Sequence, residues 1–565
     1  MLLFLLLTLL IENIMKRFNI GLLLMLFAFT SFGQSSIDKE VQVVRAYEPV
    51  LSDAFKINQL PVISDTMKLI PKLSYSIFSK VTNTQFRVSP MPAAKLIGEP
   101  VTLLNPFFVK AGFGTTLSPL LEVYYGNLRQ ADLNYSAYFR HFSSAGKVKL
   151  DNGSKKKVVQ SETAAGINGK KIFKTYAFEA SLDYNRNRAT FYGVDPTFTG
   201  SIEDDTLKQV ANRFGVELGL YSLYTDSTHF NYRGRVGYTY FSDKFSMSEN
   251  NLDVTFSGNQ FLKTERVGGE IQIMHIAKSS DLSKDPNTVF RLSPWIGLFG
   301  PDWRARAGAN FVSNSWGGKN DVYIYPLGEL SYDVIGHYFI PYINIGGHLE
   351  VNSYEKIFKE NPYVSPGLNV MNTNHKFSFE GGLKGKFSSS VSFNIAGSYS
   401  LSDSLYFFVN DFSTNPSTFG VVYDNAQVTH FFGELVVGVS HSFSLIGRGE
   451  VTRYKLDRIS KPWQKPPWAV TVSSLFNLKD KIYIKASLVG VGERFAYTGD
   501  GGTPGAITSV KLDPSIDLSV GLEYRLSKTF SVFADFNNIA GGSYYQWYRY
   551  STYGFNALAG VTLSF

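Results

Sequence analysis

The 565-residue chain contains no cysteine. That absence removes disulfides, cysteine-ligated metal sites, thiol catalysis and a lipid-modified N-terminal cysteine. Beyond the N-terminus there is also no run of about 20 apolar residues, so the chain is not a helical membrane protein. No linker divides it, although it is too long for one ordinary soluble domain. The formal charge is only +8, with basic residues scattered rather than clustered, which argues against nucleic-acid binding. No His-Glu helix motif, glycine-rich phosphate loop or nucleophile elbow is present, and an enzyme is not expected. No cofactor is called for.

What the chain does have is aromatics, at 15%, and 49 glycines. Its mean hydropathy is near zero, as expected of a membrane barrel that hides its apolar residues by alternation. The closing stretch carries that alternation most simply. Tyr553, Phe555, Ala557, Ala559, Val561, Leu563 and Phe565 fall on one face of a strand, and Gly554, Asn556, Leu558, Gly560, Thr562 and Ser564 on the other.

At the other end, residues 1–33 read as a signal peptide. Met15-Lys16-Arg17 gives the positive start, Leu22 to Phe29 the apolar core, and Ser31 and Gly33 the small residues before cleavage. Residues 1–14 read as a misassigned start. Residues 34–105 form a proline-rich extended segment, broken by Pro49, Pro61, Pro71, Pro90, Pro92 and Pro100, with Pro106 at its edge. Proline removes a backbone donor and disfavours both helix and central strand. This segment is expected in the periplasm or in the lumen.

Residues 106–565 read as the barrel. Phe214, Val216, Leu218 and Leu220 interleave with Arg213, Gly215, Glu217 and Gly219. The next segment sets Tyr232, Val236, Tyr238 and Tyr240 against Arg233 and Arg235, and another sets Trp303, Ala305 and Ala307 against Arg304 and Arg306. Ile516, Leu518, Val520, Leu522 and Tyr524 alternate with Asp517, Ser519, Gly521, Glu523 and Arg525, and Asp535 sits in the strand that follows. Charges confined to one side of a strand suit a water-filled lumen, so these are expected to face inward. Short connections, such as Gly300–Asp302, Asn477–Lys481 and Leu526–Thr529, alternate with long polar ones at Ser143–Lys157, Asn185–Leu207, Glu355–His375, Ser402–Asn425 and Tyr497–Asp513. The expected fold is all-β: a transmembrane antiparallel β-barrel of about 22 strands with both termini periplasmic.

This count, together with the close Phe533-Ala534-Asp535-Phe536-Asn537-Asn538-Ile539, an aromatic loop and terminal Phe565, resembles the barrel of TonB-dependent receptors. The resemblance implies the outer membrane of a diderm bacterium and passage or binding of a solute there. It also implies membrane insertion directed by Phe565 through the barrel-insertion machinery. Glu40-Val41-Gln42-Val43-Val44 resembles the strand-like box by which these receptors engage a periplasmic energy-coupling protein. The family's plug domain is longer than residues 34–105, so a full plug is not expected. The alternative reading is a non-transporting structural or accessory subunit of an outer-membrane assembly or export complex, with other outer-membrane subunits as partners.

Further candidates are weaker. Tyr544, Tyr545, Trp547, Tyr548 and Tyr550 read as an aromatic rim at the membrane–water boundary, with a binding loop as the other reading. Glu203-Asp204-Asp205 reads as a solvated loop before a calcium site, and Lys155-Lys156-Lys157 as a solvated run before a contact to lipopolysaccharide phosphates. His141, His229 and His441 lie on or beside predicted strands and are the histidines an inward catalytic base would require. Outer-membrane lipid is the remaining partner.

Overall fold

The computed structural model describes residues 105–565 apart from 128–129, 195–206, 225–227, 280–285, 412–417, 441 and 500–508. The expected signal peptide, the expected proline-rich segment up to residue 104 and the expected box at Glu40–Val44 lie outside the described residues, as do Glu203–Asp205 and His441.

Twenty-two strands form one antiparallel sheet that closes on itself. Closure joins the first strand, Phe107–Gly114, to the last, Asn556–Ser564, with Phe108 opposite Ser564 and Gly114 opposite Leu558. A closed ring leaves no unpaired outer edge, which is what a barrel needs to stand in lipid. Side chains alternate as the sequence implies. Ile516, Leu522 and Tyr524 are exposed on the outer face of Ser515–Arg525. Val561 and Leu563 do the same on the last strand, whereas Leu558 is buried inside. The chain is thus a transmembrane β-barrel with a lipid-facing apolar belt, of the kind that occupies the outer membrane of diderm bacteria.

The two mouths differ. Connections at the end that holds Phe565 are short, and one of them is a three-residue hairpin connection, Lys479–Lys481, in which Lys479 and Asp480 both take positive φ. At the opposite mouth lie the long connections, 351–372, 492–514 and 538–555 among them. One turn there is tight: Gly317 and Gly318 both take positive φ between Trp316 and Lys319, a conformation that glycine adopts without strain. Asn105 donates from Nδ2 to the Ser564 carbonyl at 3.0 Å, so the chain enters the barrel at the mouth where it ends.

Two expected loops are largely strand. Ser143–Lys149 pairs with Lys155–Ser161, and Leu405–Asp411 pairs with Thr418–Asp424. The reason is physical. A lipid belt needs only about 10 residues per strand, and beyond it a hairpin keeps its ladder while its apolar side chains, such as Phe408 and Phe419, pack inward on other connections instead of alternating toward lipid. The strands Val391–Asp411 and Thr418–Ser440, of 21 and 23 residues, project furthest in this way. Lys155–Lys157 accordingly opens a strand rather than lying in a loop.

Candidate functional site

Over the long-loop mouth, the described parts of several connections pack together as a roof. The first element is the short helix Tyr354–Glu360, the only α-helix among the described residues. Ser353 caps it, its Oγ accepting from the Lys356 amide at 3.1 Å, with Glu355 in the first turn and Lys359 in the last. Those placements complement the helix dipole. Tyr354, Ile357 and Phe358 are buried, the one-sided spacing by which a helix covers a surface. The Phe241 ring receives Tyr354 at 5.8 Å and Phe358 at 5.4 Å.

Polar contacts string this helix across the opening. Tyr354 donates from its hydroxyl to Asp243 at 3.0 Å and from its amide to Glu249 at 2.8 Å, and Arg213 Nε donates to Glu355 at 2.8 Å. At the other end Glu360 accepts from the Tyr406 hydroxyl at 2.5 Å and from Lys465 Nζ at 2.7 Å. Asp243 belongs to the strand Asn231–Asp243 and Tyr406 to Val391–Asp411, which stand eight places apart in the ring. The helix is therefore a beam that ties two separate parts of the wall together.

The second element is the loop 538–555, folded inward as a small hairpin in which Tyr545–Trp547 pairs with Tyr550–Ser551. Trp547 packs its ring against Phe408 at 4.9 Å, and Tyr550 stacks on Tyr363 at 3.9 Å and meets Tyr192 at 4.8 Å. Tyr192, from the third connection, also donates to the Ser551 carbonyl at 2.8 Å. The Arg494 guanidinium donates to the Gln546 carbonyl at 2.8 Å. An aromatic rim in the lipid boundary is the wrong description for Trp547 and Tyr550. Tyr550 is 0% exposed, and both are the centre of the roof's apolar core. Sequence alternation cannot locate an aromatic that turns inward on a loop. Tyr544 and Tyr545 anchor the hairpin by their hydroxyls, to Asp517 at 3.0 Å and to Asp151, and the Tyr548 ring lies 6.0 Å from that of Tyr545. Burial raises the phenols here: Tyr363 to about 12, and Tyr544, with Asp517 beside it, to about 12.

Under the roof lies a cavity of about 600 Å³ lined by Gln160, Glu162, Asn185, Asn187, Arg188, Arg213, Lys359 and Gln546 among others, with Phe142 and Phe358. Charges of both signs, amides and two aromatic faces are the chemistry that holds a polar solute by several hydrogen bonds. A second cavity, of about 610 Å³, lies on the wall nearer the short-turn mouth. Arg266, Arg304, Arg306 and Lys384 line it with Trp295 and Tyr342. The Arg306 guanidinium stands 5.6 Å from the Trp295 ring and pairs with Glu329.

The remaining sequence-derived charges are distributed along the wall rather than gathered. Arg213 also pairs with Asp183. Arg235 bridges Glu217 and Asp253 at 3.7 and 3.3 Å, while Arg233 lies over Tyr221 and Arg525 over Tyr483. Glu523 accepts from Ser531 at 2.7 Å, and Asp535 lies 3.7 Å from Lys110. His141 bonds to Thr163 and His229 stacks on Tyr224. Phe565 stacks on Phe107 at 5.3 Å. Sequence reasoning missed Arg188, Arg266, Glu355 and Lys384. Arg266 and Lys384 carried a signal, since each sits in an alternating strand, whereas Glu355 lies in a loop with no period to read.

No protein-family model matches the chain, and no curated protein sequence matches it. Solved structures do. The siderophore receptor PirA of Acinetobacter baumannii superposes with a TM-score of 0.62 at 10% identity, over 81% of this chain and 80% of that one. The copper transporter OprC gives 0.60 at 10% identity, over 83% and 82%. The ferripyoverdine receptor of the outer membrane of Pseudomonas aeruginosa gives 0.59 at 11%, over 83% and 72%. The fold is that of the TonB-dependent receptor barrel.

Proposed function

We propose that this protein captures a polar solute beneath its loop roof and passes it through the barrel across the outer membrane, with the long-loop mouth facing outward. The observation that carries the reading is the roofed, hydrogen-bonding cavity beside Arg188 and Arg213. The cationic groove at Arg266, Arg304, Arg306 and Lys384 supplies a second resting place further along the wall. Fold relatives named as a siderophore receptor and a copper transporter support the handling of a solute, and coupling to a periplasmic partner through Glu40–Val44 is part of the proposal. The roof is the element that has to move.

The reading assigns no catalysis. Ser402, His375 and Glu350 form a hydroxyl–imidazole–carboxylate series, with contacts of 2.8 and 3.1 Å. Ser402 is only 2% exposed, so a substrate does not reach its oxygen.

Purification from native membranes in mild detergent, followed by mass spectrometry of released small molecules, tests the reading. A bound polar solute that Arg188→Ala loses is the expected result. Fixed-ratio recovery with other outer-membrane proteins and no solute would favour the accessory-subunit alternative and contradict transport.

A further inference from the structure

One seam of the barrel differs from all the others. The strand Lys319–Tyr332 pairs with its neighbour Ile340–Glu350 at four positions only, from Gly328 opposite Ile345 to Ser331 opposite Tyr342. Every other seam in the ring has at least six, and the outer sides of these same two strands are paired for 14 and 10 positions. Pro326, which has no amide hydrogen to donate, sits where the ladder stops. From there toward the long-loop mouth, the edges Lys319–Leu327 and Gly346–Glu350 face one another without backbone pairing.

Side chains close this gap in place of the ladder. Tyr325, 2% exposed, passes over Gly347, where a Cβ would come within 2.6 Å of its ring, and donates to Asn374 Oδ1 at 2.7 Å. Arg291 donates to the Leu349 carbonyl at 3.0 Å and Asn310 to the Gly347 carbonyl at 3.5 Å, which satisfies acceptors that a neighbouring strand would have taken. Behind Tyr325 a small apolar core of Val289, Val312 and Leu349 continues inward. Outside it, Val322 and Ile324 are 67% and 66% exposed to the lipid side. Beyond the core, Asn372 joins Asn287 and Asn314 at 2.9 Å each. Apolar side chains thus run from the lipid face through the seam and end on amides and a guanidinium.

We propose that this seam is a lateral portal for a single-chain amphiphile, its acyl tail lying between the two strand edges and its polar head on the asparagines and Arg291. Tyr325 is the bolt. A stretch held by the Tyr325, Arg291 and Asn310 side chains opens at less cost than one held by a ladder, because fewer coupled hydrogen bonds are lost. The occupant is an acyl chain because the bilayer is what meets Val322 and Ile324. The portal is independent of the polar route under the roof.

The full chain in lipid vesicles, exposed to a lauric acid carrying a diazirine at its tail, tests this. Peptides holding Val312, Tyr325 and Leu349 should be labelled several-fold above the outer face of Ser515–Arg525. Tyr325→Ala should raise that labelling, and Tyr325→Phe, which loses only the hydroxyl bond, should raise it less. Leu327→Cys with Gly346→Cys places two thiols one step beyond the last paired position, in a chain with no other cysteine. A Cβ at Gly346 meets nothing nearer than 3.6 Å. Oxidation should cut the inner labelling several-fold and reduction restore it. Uniform labelling around the belt, or labelling of Val322 and Ile324 without Val312 and Leu349, would overturn the proposal. If the cysteine pair does not close, the two Tyr325 variants decide alone.

Discussion

The rings of Tyr363 and Tyr550 stack at 3.9 Å, with 27° between their planes, and so join the loop 351–372 to the loop 538–555 at the centre of the mouth. Both residues are buried, and Gly193 leaves the space that Tyr550 fills: a Cβ there would lie 2.5 Å from its ring. Tyr550→Ala should cost about 3–5 kcal/mol locally, spent on roof closure rather than on the barrel. Protease cleavage within 538–555 should rise while the barrel keeps its heat-dependent shift on gels. Loss of that shift would show that the roof and wall are one folding unit.

Arg213 and Glu355 tie the beam to the wall at 2.8 Å. Arg213 also pairs with Asp183, so it has two carboxylate partners. Arg213→Ala and Glu355→Gln should each loosen the roof, and a double-mutant cycle on protease accessibility should give a coupling of about 1 kcal/mol, since both groups keep some solvent. Zero coupling would mean the helix is held by its other contacts, at Phe241, Asp243, Glu249 and Tyr406, and not by this pair.

The roof should also respond to alkali. Burial holds the Tyr363 phenol near 12 and, with Asp517 adjoining, Tyr544 likewise, against 10.0 when free. A folded-state pKa raised above the unfolded one contributes stability in full below pH 10 and loses it as pH climbs toward 12. Roof opening followed by tyrosinate absorbance should therefore begin above pH 10, with the strands still intact by circular dichroism. A roof insensitive to pH 12 would contradict the burial of these hydroxyls.

Much of the wall was legible in the sequence because lipid imposes a strict rule on every strand it touches. Ala557, Val561 and Leu563 could be assigned outward, and Asp517, Glu523 and Arg525 inward, from period alone. The rule stops where lipid stops. Ser143–Lys149 and Leu405–Asp411 extend past the lipid and remain paired, but their side chains pack on other connections, so the lipid alternation does not mark them as strand. Trp547 and Tyr550 pack on residues far away in sequence, which no local pattern records. The weak seam was hidden because period specifies faces, not how far a ladder runs. Pro326 was its only local sign.

Phe565 exchanges backbone hydrogen bonds with Phe107 at 2.9 and 3.0 Å and stacks on its ring. If this terminal residue directs insertion, Phe565→Asp should lower the inserted fraction several-fold in refolding into vesicles, and Phe565→Tyr should leave it near the parent value. Equal insertion for both would remove that role.

Asn187 lines the cavity under the roof, and the chain has no native cysteine, so Asn187→Cys gives a single reporter there. Its labelling by a membrane-impermeant maleimide added to whole cells tests the central claim most directly. The roof predicts slow labelling in the otherwise unaltered chain and labelling at least tenfold faster when Tyr550→Ala is added. Fast labelling without the Tyr550 change, or no acceleration with it, would contradict a mouth that faces outward and is closed by its own loops.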